Sequence, residues 1–179
     1  MARAKTAGNM TAEVEGNVEA VKPAKKAIVP KGIDPNTIVS VRNGTRGKLV
    51  YTSPRTHERF IWNEFGDEQD MELSELRNAK SSAKTFFEKN WFMFDKSNEW
   101  VITYLGLNKF YKFAVPIDEI DDIFTKSPEE IKEIVSRVSD GQKKTIAYRA
   151  MQLVADKEID SLKVIDALEK SLGVELIEQ

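Results

Sequence analysis

The chain has 179 residues, of which 41% are hydrophobic and 31% are charged, with one histidine and no cysteine. This length suits one ordinary domain or two small domains that share an interface, and the lack of cysteine excludes disulfides and thiolate metal sites. A formal net charge of −2 provides no global field that would draw the chain to nucleic acid or to a membrane. No signal-peptide pattern or membrane-length apolar run is present, so these features are typical of a soluble protein made in a reducing cytosol.

Residues 1–36 are predicted to form a flexible N-terminal arm. They contain no aromatic residue, carry six Lys/Arg against four Asp/Glu, and end in breakers around Pro30 and Pro35. Such a composition cannot bury enough apolar surface to form a core. Two alternatives stay open: a disordered tail, or an arm that becomes ordered along a neighbouring subunit.

Residues 37–115 are predicted to form a small α+β domain. Three β-rich runs at 37–41, 48–52 and 59–62 are separated by turn signals. Asn43-Gly44 is a strong hairpin signal because both residues tolerate positive φ. The pattern predicts a three-stranded antiparallel meander with Asn43 and Gly44 at an exposed hairpin tip, packed on helices through one apolar face.

An aromatic block follows the predicted strands. A helix is expected from an N-cap at Ser74 to Asn90, and a shorter one from Asn98 to Gly106. Aromatic side chains bury large areas and dominate cores and interfaces, so we expect the block to form the core between sheet and helices. Its ten members lie within residues 86–113: Phe86, Phe87, Trp91, Phe92, Phe94, Trp100, Tyr104, Phe110, Tyr111 and Phe113.

Residues 116–179 are predicted to form a three-helix bundle. Ser127 and Glu130 make a capping-box pair with proline at the first helical position, and Ser139 with Gln142 repeats the pattern. A last helix starts near Ser161 and stops at Gly173. Each helix has an apolar face at the spacing of helical turns, and the connections are short, so the three helices should pack together.

Charge is unevenly distributed across the boundary between these two regions. Residues 77–113 carry seven Lys/Arg and three Asp/Glu, whereas residues 114–135 carry two and seven. The two segments could pair within one molecule or between neighbours in an assembly. A short acidic helix is expected from Asp118 to Phe124, and it presents four candidate interface residues: Asp118, Glu119, Asp121 and Asp122.

No residue pattern indicates catalysis, a metal site or a cofactor. His57 lies in a polar turn at residues 53–58, too close in sequence to Ser53 and Glu58 to build a triad, which depends on spatial geometry. The acidic clusters, the first of them at residues 64–72, lack the EF-hand pattern and suit solvated helix starts. Residues 44–48 lack the P-loop spacing. We therefore predict a protein that is not an enzyme and uses no cofactor.

Several segments resemble small proteins encoded among the structural genes of tailed bacteriophages. The likeness covers roughly residues 37–175, and it is carried by residues 41–51, 60–66, 90–94 and 139–144. It implies a structural protein of the virion, in the head, the head–tail joint or the tail. Such a protein is made in the host cytoplasm and contacts other virion proteins in a repeating or symmetric assembly.

The expected contacts are the arm, the hairpin tip at Asn43 and Gly44, and the acidic helix. The alternative function is a nucleic-acid-binding regulator that uses the C-terminal bundle, with cations at Lys143, Lys144 and Arg149. Nearby carboxylates and the overall net charge disfavour nucleic acid as a partner.

Overall fold

A computed structural model describes residues 28–177 of the chain. Most of the predicted arm, residues 1–27, therefore lies outside the described residues. The end of that predicted arm is part of the folded body: Ile33 packs against the first hydrophobic core, and the carbonyl of Pro35 accepts a hydrogen bond of 2.8 Å from the amide of Ser74. Residues 33–35, which were predicted as part of the arm, therefore contact the folded body.

The predicted α+β class is confirmed, with antiparallel sheets and several helices. None of the helices in residues 28–177 combines the length and the apolar character that crossing a bilayer requires. The elements in chain order are β1 Ile38–Asn43, β2 Leu49–Thr52, β3 Arg59–Trp62, β4 Glu68–Glu72, α1 Leu73–Ser82, α2 Thr85–Glu88, β5 Phe92–Met93, α3 Trp100–Tyr104, α4 Asn108–Tyr111, α5 Pro128–Arg137, α6 Asp140–Ala155 and α7 Leu162–Leu172, with 3₁₀ segments at Lys96–Asn98, Ile117–Glu119 and Asp121–Thr125.

The three predicted strands exist, but their pairing differs from a meander. β1 lies at the centre of a three-stranded sheet of order β4-β1-β5, and β2 pairs only with β3 in a second sheet. Val39 and Val41 face the core, opposite Met71 and Gln69 of β4. The strand itself was predicted correctly because its β-branched run is a local signal, whereas its partners come from 26 or more residues away in the chain.

The predicted hairpin tip at Asn43 and Gly44 is wrong, because both residues are buried. The side-chain Nδ2 of Asn43 donates to the carbonyls of Gly47 and Glu64, both at 2.8 Å, and its Oδ1 accepts from the backbone amide of Thr45 at 2.9 Å. The Asn43 side chain therefore supplies hydrogen-bonding partners to three backbone groups of the surrounding loops. Neither residue is available as a surface contact in the folded chain.

Aromatic side chains form much of the first core, which is built by residues 33–117. Phe87, Phe92 and Trp62 are fully buried, while Trp91 and Trp100 are only partly buried. The predicted helix from Ser74 to Asn90 is interrupted, because the backbone leaves helical geometry at Ala83 between α1 and α2.

Helices α5, α6 and α7 pack around a second core together with the 3₁₀ segment Asp121–Thr125. The predicted capping box is present, with the Ser127 hydroxyl accepting from the Glu130 amide and the Glu130 carboxylate accepting from the Ser127 amide. Gly173 ends α7 with φ of 67°. The acidic stretch from Asp118 to Phe124 forms two 3₁₀ segments rather than the predicted single helix.

Replacing Ser127 with alanine should lower the free energy of unfolding by about 1 kcal/mol, because the Glu130 amide at the start of α5 loses its acceptor. Ser161 is a matched control: it occupies the same position of α7 but its side chain makes no capping hydrogen bond. Urea unfolding followed by circular dichroism measures both variants. A larger loss for Ser161→Ala than for Ser127→Ala would contradict the assignment.

Candidate functional site: an ion-paired cleft and the junction of the two cores

The acidic 3₁₀ segments lie between the two cores, and three of their four predicted interface carboxylates are ion-paired within the chain. Asp118 lies 2.8 Å from the guanidinium of Arg42, and Glu119 lies 3.2 Å from the ammonium of Lys96. Asp121 is bonded to Arg149 of α6. Among the described residues, only Asp122 of the four forms no ion pair.

Arg42 is the centre of the largest charge cluster. Besides Asp118, its guanidinium contacts Asp95 at 3.1 Å and Glu68 at 3.5 Å, and it donates to the carbonyl of Gly66 at 3.3 Å. Partial burial acts to lower the pKa of Arg42, but its hydrogen bonds and charge interactions with Asp118 and Asp95 outweigh this, and the net shift is upward. The arginine therefore joins β1, β4 and the acidic segment in a permanently charged form.

A cleft with a volume of about 260 Å³ opens beside Arg42. The hydrogen bonds in it connect Arg42 to the carboxylates of Asp95 and Asp118. The polar part of its lining consists mainly of charged side chains. The lining residues are Arg42, Met93, Phe94, Asp95, Lys96, Ser97, Glu99, Pro116, Ile117, Asp118 and Glu119.

Arg149 holds Asp121 through two parallel hydrogen bonds. Its Nε lies 2.8 Å from one carboxylate oxygen and its Nη2 lies 2.7 Å from the other. This fork geometry is the strongest form of the arginine–carboxylate pair. The hydrogen bonds from Arg149 lower the pKa of Asp121 and outweigh the opposite effect of partial burial. The pair attaches the second 3₁₀ segment to α6.

This pair predicts a pH dependence of stability. Because the pKa of Asp121 is lower in the folded chain than in the unfolded chain, its stabilising effect is present above the unfolded value of about 4 and is lost as the pH falls through the lower folded value. When the pH is lowered from about 7 to about 3, we expect the free energy of unfolding to fall less for Asp121→Asn than for the parent chain. Urea unfolding at both pH values measures the difference. Asp122→Asn, the unpaired neighbour, should behave like the parent chain, and equal effects of both variants would contradict the role of Arg149.

Three segments that were singled out in the sequence, residues 41–51, 90–94 and 139–144, meet where the two cores join. The amide of Gly44 donates to the carbonyl of Trp91 at 2.7 Å, and a Cβ at Gly44 would collide with the carbonyl of Asn90. A Cβ at Gly141, at the start of α6, would collide with the carbonyl of Lys89. The backbone of residues 89–90 is thus in close contact with two glycines, Gly44 of the first core region and Gly141 of α6.

Polar side chains of α6 and of its N-cap residue complete this junction. The Thr145 hydroxyl donates to the carbonyl of Gly44 at 2.9 Å, and the Ser139 hydroxyl donates to that of Lys89 at 3.2 Å. The Gln142 side chain accepts from the amide of Val115 at 3.0 Å and donates to its carbonyl at 2.6 Å. These bonds replace water on buried backbone groups, so they specify one relative position for the two cores.

The capping pair of Ser139 and Gln142 was predicted from the sequence, but the contacts that these residues make across the junction were not. The predicted capping pair is half present, because the Gln142 amide donates to the Ser139 hydroxyl at 3.2 Å while the Gln142 side chain serves Val115 instead. The available signal was Gly141 near the start of the predicted helix, with Thr145 four residues later on the same helix face. Small residues on a helix indicate close approach of another backbone.

The remaining candidates have structural roles. His57 is exposed with φ of 61°, and its amide donates to the Ser53 carbonyl at 2.9 Å in a turn, so the polar-turn interpretation is confirmed. Glu75 is buried and accepts from the Tyr51 hydroxyl at 2.7 Å. Burial of the Tyr51 hydroxyl and its bond to Glu75 raise the pKa of Tyr51.

Two of the three basic residues named for the alternative function, nucleic-acid binding, form ion pairs within the chain. Arg149 is bonded to Asp121, and Lys143 lies 3.8 Å from Asp140, so Lys144 alone of the three has no ion pair within the described residues. Comparison of the chain with protein-family models, with curated proteins and with solved structures gives no match.

Proposed function

We propose that this chain is a structural or assembly protein of a tailed-phage virion that works through protein–protein contacts and not by catalysis. It occupies a place in the head, the head–tail joint or the tail, and its partners are other virion proteins in a repeating or symmetric assembly. It is made in the host cytoplasm and carried in the virion.

The observation that supports this proposal most is where the phage-like segments lie. They meet at the junction, where glycines and buried hydrogen bonds hold two cores in one relative position. The residues of these segments thus help to fix the shape of the folded chain. A body of fixed shape suits a subunit whose role is to present surfaces to neighbours.

The test is the composition of purified particles. Mass spectrometry should detect the chain in a constant ratio to the major structural proteins. Removing residues 1–27 should lower incorporation if this segment acts as an arm. Absence of the unmodified chain from particles would overturn the proposal.

The predicted acidic contact can be tested without disturbing the fold. Reversing Asp121 would break its bonds to Arg149, so Asp122→Lys is the suitable variant. Asp160→Lys is the matched control, because Asp160 is also exposed and has no ion pair among the described residues. Asp122→Lys should lower incorporation through charge repulsion at the contact, and Asp160→Lys should not. Equal incorporation of the two variants would remove Asp122 from the contacts.

A further inference from the structure

The basic segment at residues 77–113 and the acidic segment at 114–135 scarcely pair with each other. Within residues 28–177 one ion pair joins them, between Lys96 and Glu119. The acidic side chains Asp118 and Asp121 bind arginines from other parts of the chain. As a result, several exposed cations of the basic segment have no counter-charge in the described part of the molecule: Arg77, Lys80, Lys109 and Lys112.

Helices α1 and α4, together with the α3–α4 turn, bring cations of this segment to one surface. The Arg77 guanidinium donates to the Tyr104 hydroxyl and lies 5.5 Å from the centre of its ring. One turn further along α1, the Lys80 ammonium lies next to Gly106 in the turn that connects α3 to α4. Arg77 and Lys80 are both exposed.

The same surface continues onto α4. The ammonium groups of Lys84 and Lys109 lie 5.6 Å and 4.6 Å from the centre of the Phe110 ring. Lys84 also pairs with Glu88 at 2.7 Å, which is the one ion pair among these four cations in the described residues. We call Arg77, Lys80, Lys84 and Lys109 the cationic face.

Aromatic rings contact three of these cations, Arg77, Lys84 and Lys109, and all three residues are exposed. Such contacts fix the positions of the charges and leave most of their hydrogen-bonding capacity unused. Within the described residues these four cations form one ion pair, that of Lys84 with Glu88, so a ligand with regularly spaced negative charges would meet largely unneutralised charge. A phosphate backbone has such charges, and its binding releases condensed counterions.

We propose that the cationic face binds nucleic acid through its phosphates. A second copy of the chain is a poorer partner, because three of the four interface carboxylates in its acidic 3₁₀ segments are already ion-paired. The overall charge of −2 disfavours a global attraction but leaves a local one intact, since exposed charges more than about 10 Å apart are largely screened. This inference is independent of the proposed virion role.

The test is fluorescence anisotropy of the full chain with labelled single-stranded and double-stranded DNA between about 50 and 200 mM salt. Four phosphate contacts give an expected log–log slope of about −3 on a single strand. Lys80→Gln with Lys109→Gln should weaken binding about tenfold or more in low salt and reduce the slope by about 1.4. The ratio of the two affinities shows which form of DNA is preferred.

Lys132→Gln with Lys163→Gln is the matched control, because these lysines are exposed on α5 and α7 and form no ion pair in the described residues. It changes the charge equally and should leave the affinity unchanged. Thermal unfolding verifies that both double variants are folded, and single Gln variants replace any that is not. Absence of salt-dependent binding, equal weakening by the control, or displacement of DNA by polyglutamate at equal charge concentration would each overturn the proposal.

Discussion

Replacing Phe92 with alanine is expected to lower the free energy of unfolding by about 3–5 kcal/mol. The Phe92 ring is fully buried, and its centre lies 4.9 to 5.8 Å from the ring centres of Phe86, Trp62, Phe87 and Tyr51. Four rings packed around one cannot all move inward when it is removed. The variant therefore loses both the buried area and the contacts of the cavity wall.

The measurement is urea unfolding followed by two probes. Trp62, Trp91 and Trp100 all belong to the first core, so tryptophan fluorescence reports its loss, while circular dichroism also follows the bundle. Trp91→Ala is the comparison, because Trp91 is only partly buried and should cost less than Phe92→Ala despite its larger side chain. A greater loss for Trp91→Ala would show that the centre of the core has been misplaced.

The elements that were predicted correctly are those with a local cause. The capping box at Ser127 and the stop at Gly173 depend on residues within one helical turn. Strands β1 to β3 follow from β-branched and aromatic runs. β4 was not predicted, because Glu68–Glu72 contains one apolar residue, Met71, and its three exposed acidic residues resemble a loop.

The candidate site could not be derived in the same way, because it depends on long-range contacts. The Asn43-Gly44 signal predicts a turn from two residues, but burial against residues 89–91 overrides that local preference. Arg42 occupies an outward position of β1 and looks solvated in the sequence. Its partners Asp95 and Asp118 are 53 and 76 residues away. Composition revealed the segregated charge, and only the fold shows which charges meet.

The close approach of Gly141 to the Lys89 backbone determines how Gly141→Ala should change the free energy of unfolding. In an open helix, alanine is more stable than glycine by about 1 kcal/mol. At Gly141 the added Cβ would collide with the Lys89 carbonyl, which is backbone and cannot rotate away as a side chain could. We therefore expect the opposite sign, a loss of about 1–3 kcal/mol. Lys144→Ala, at an exposed position one turn along α6, is the control and should change stability by less than about 0.5 kcal/mol.

A double variant tests whether the two glycines act on one backbone segment. Gly44→Ala pushes against Asn90 from the first core, and Gly141→Ala pushes against Lys89 from the second. Once either change has displaced residues 89–90, the other meets a position already altered, so the two losses should not be additive. Urea unfolding of the parent, both single variants and the double variant gives the coupling energy. Additive losses would mean that the two cores contact this segment independently, and a gain in stability for Gly141→Ala would contradict the close approach itself.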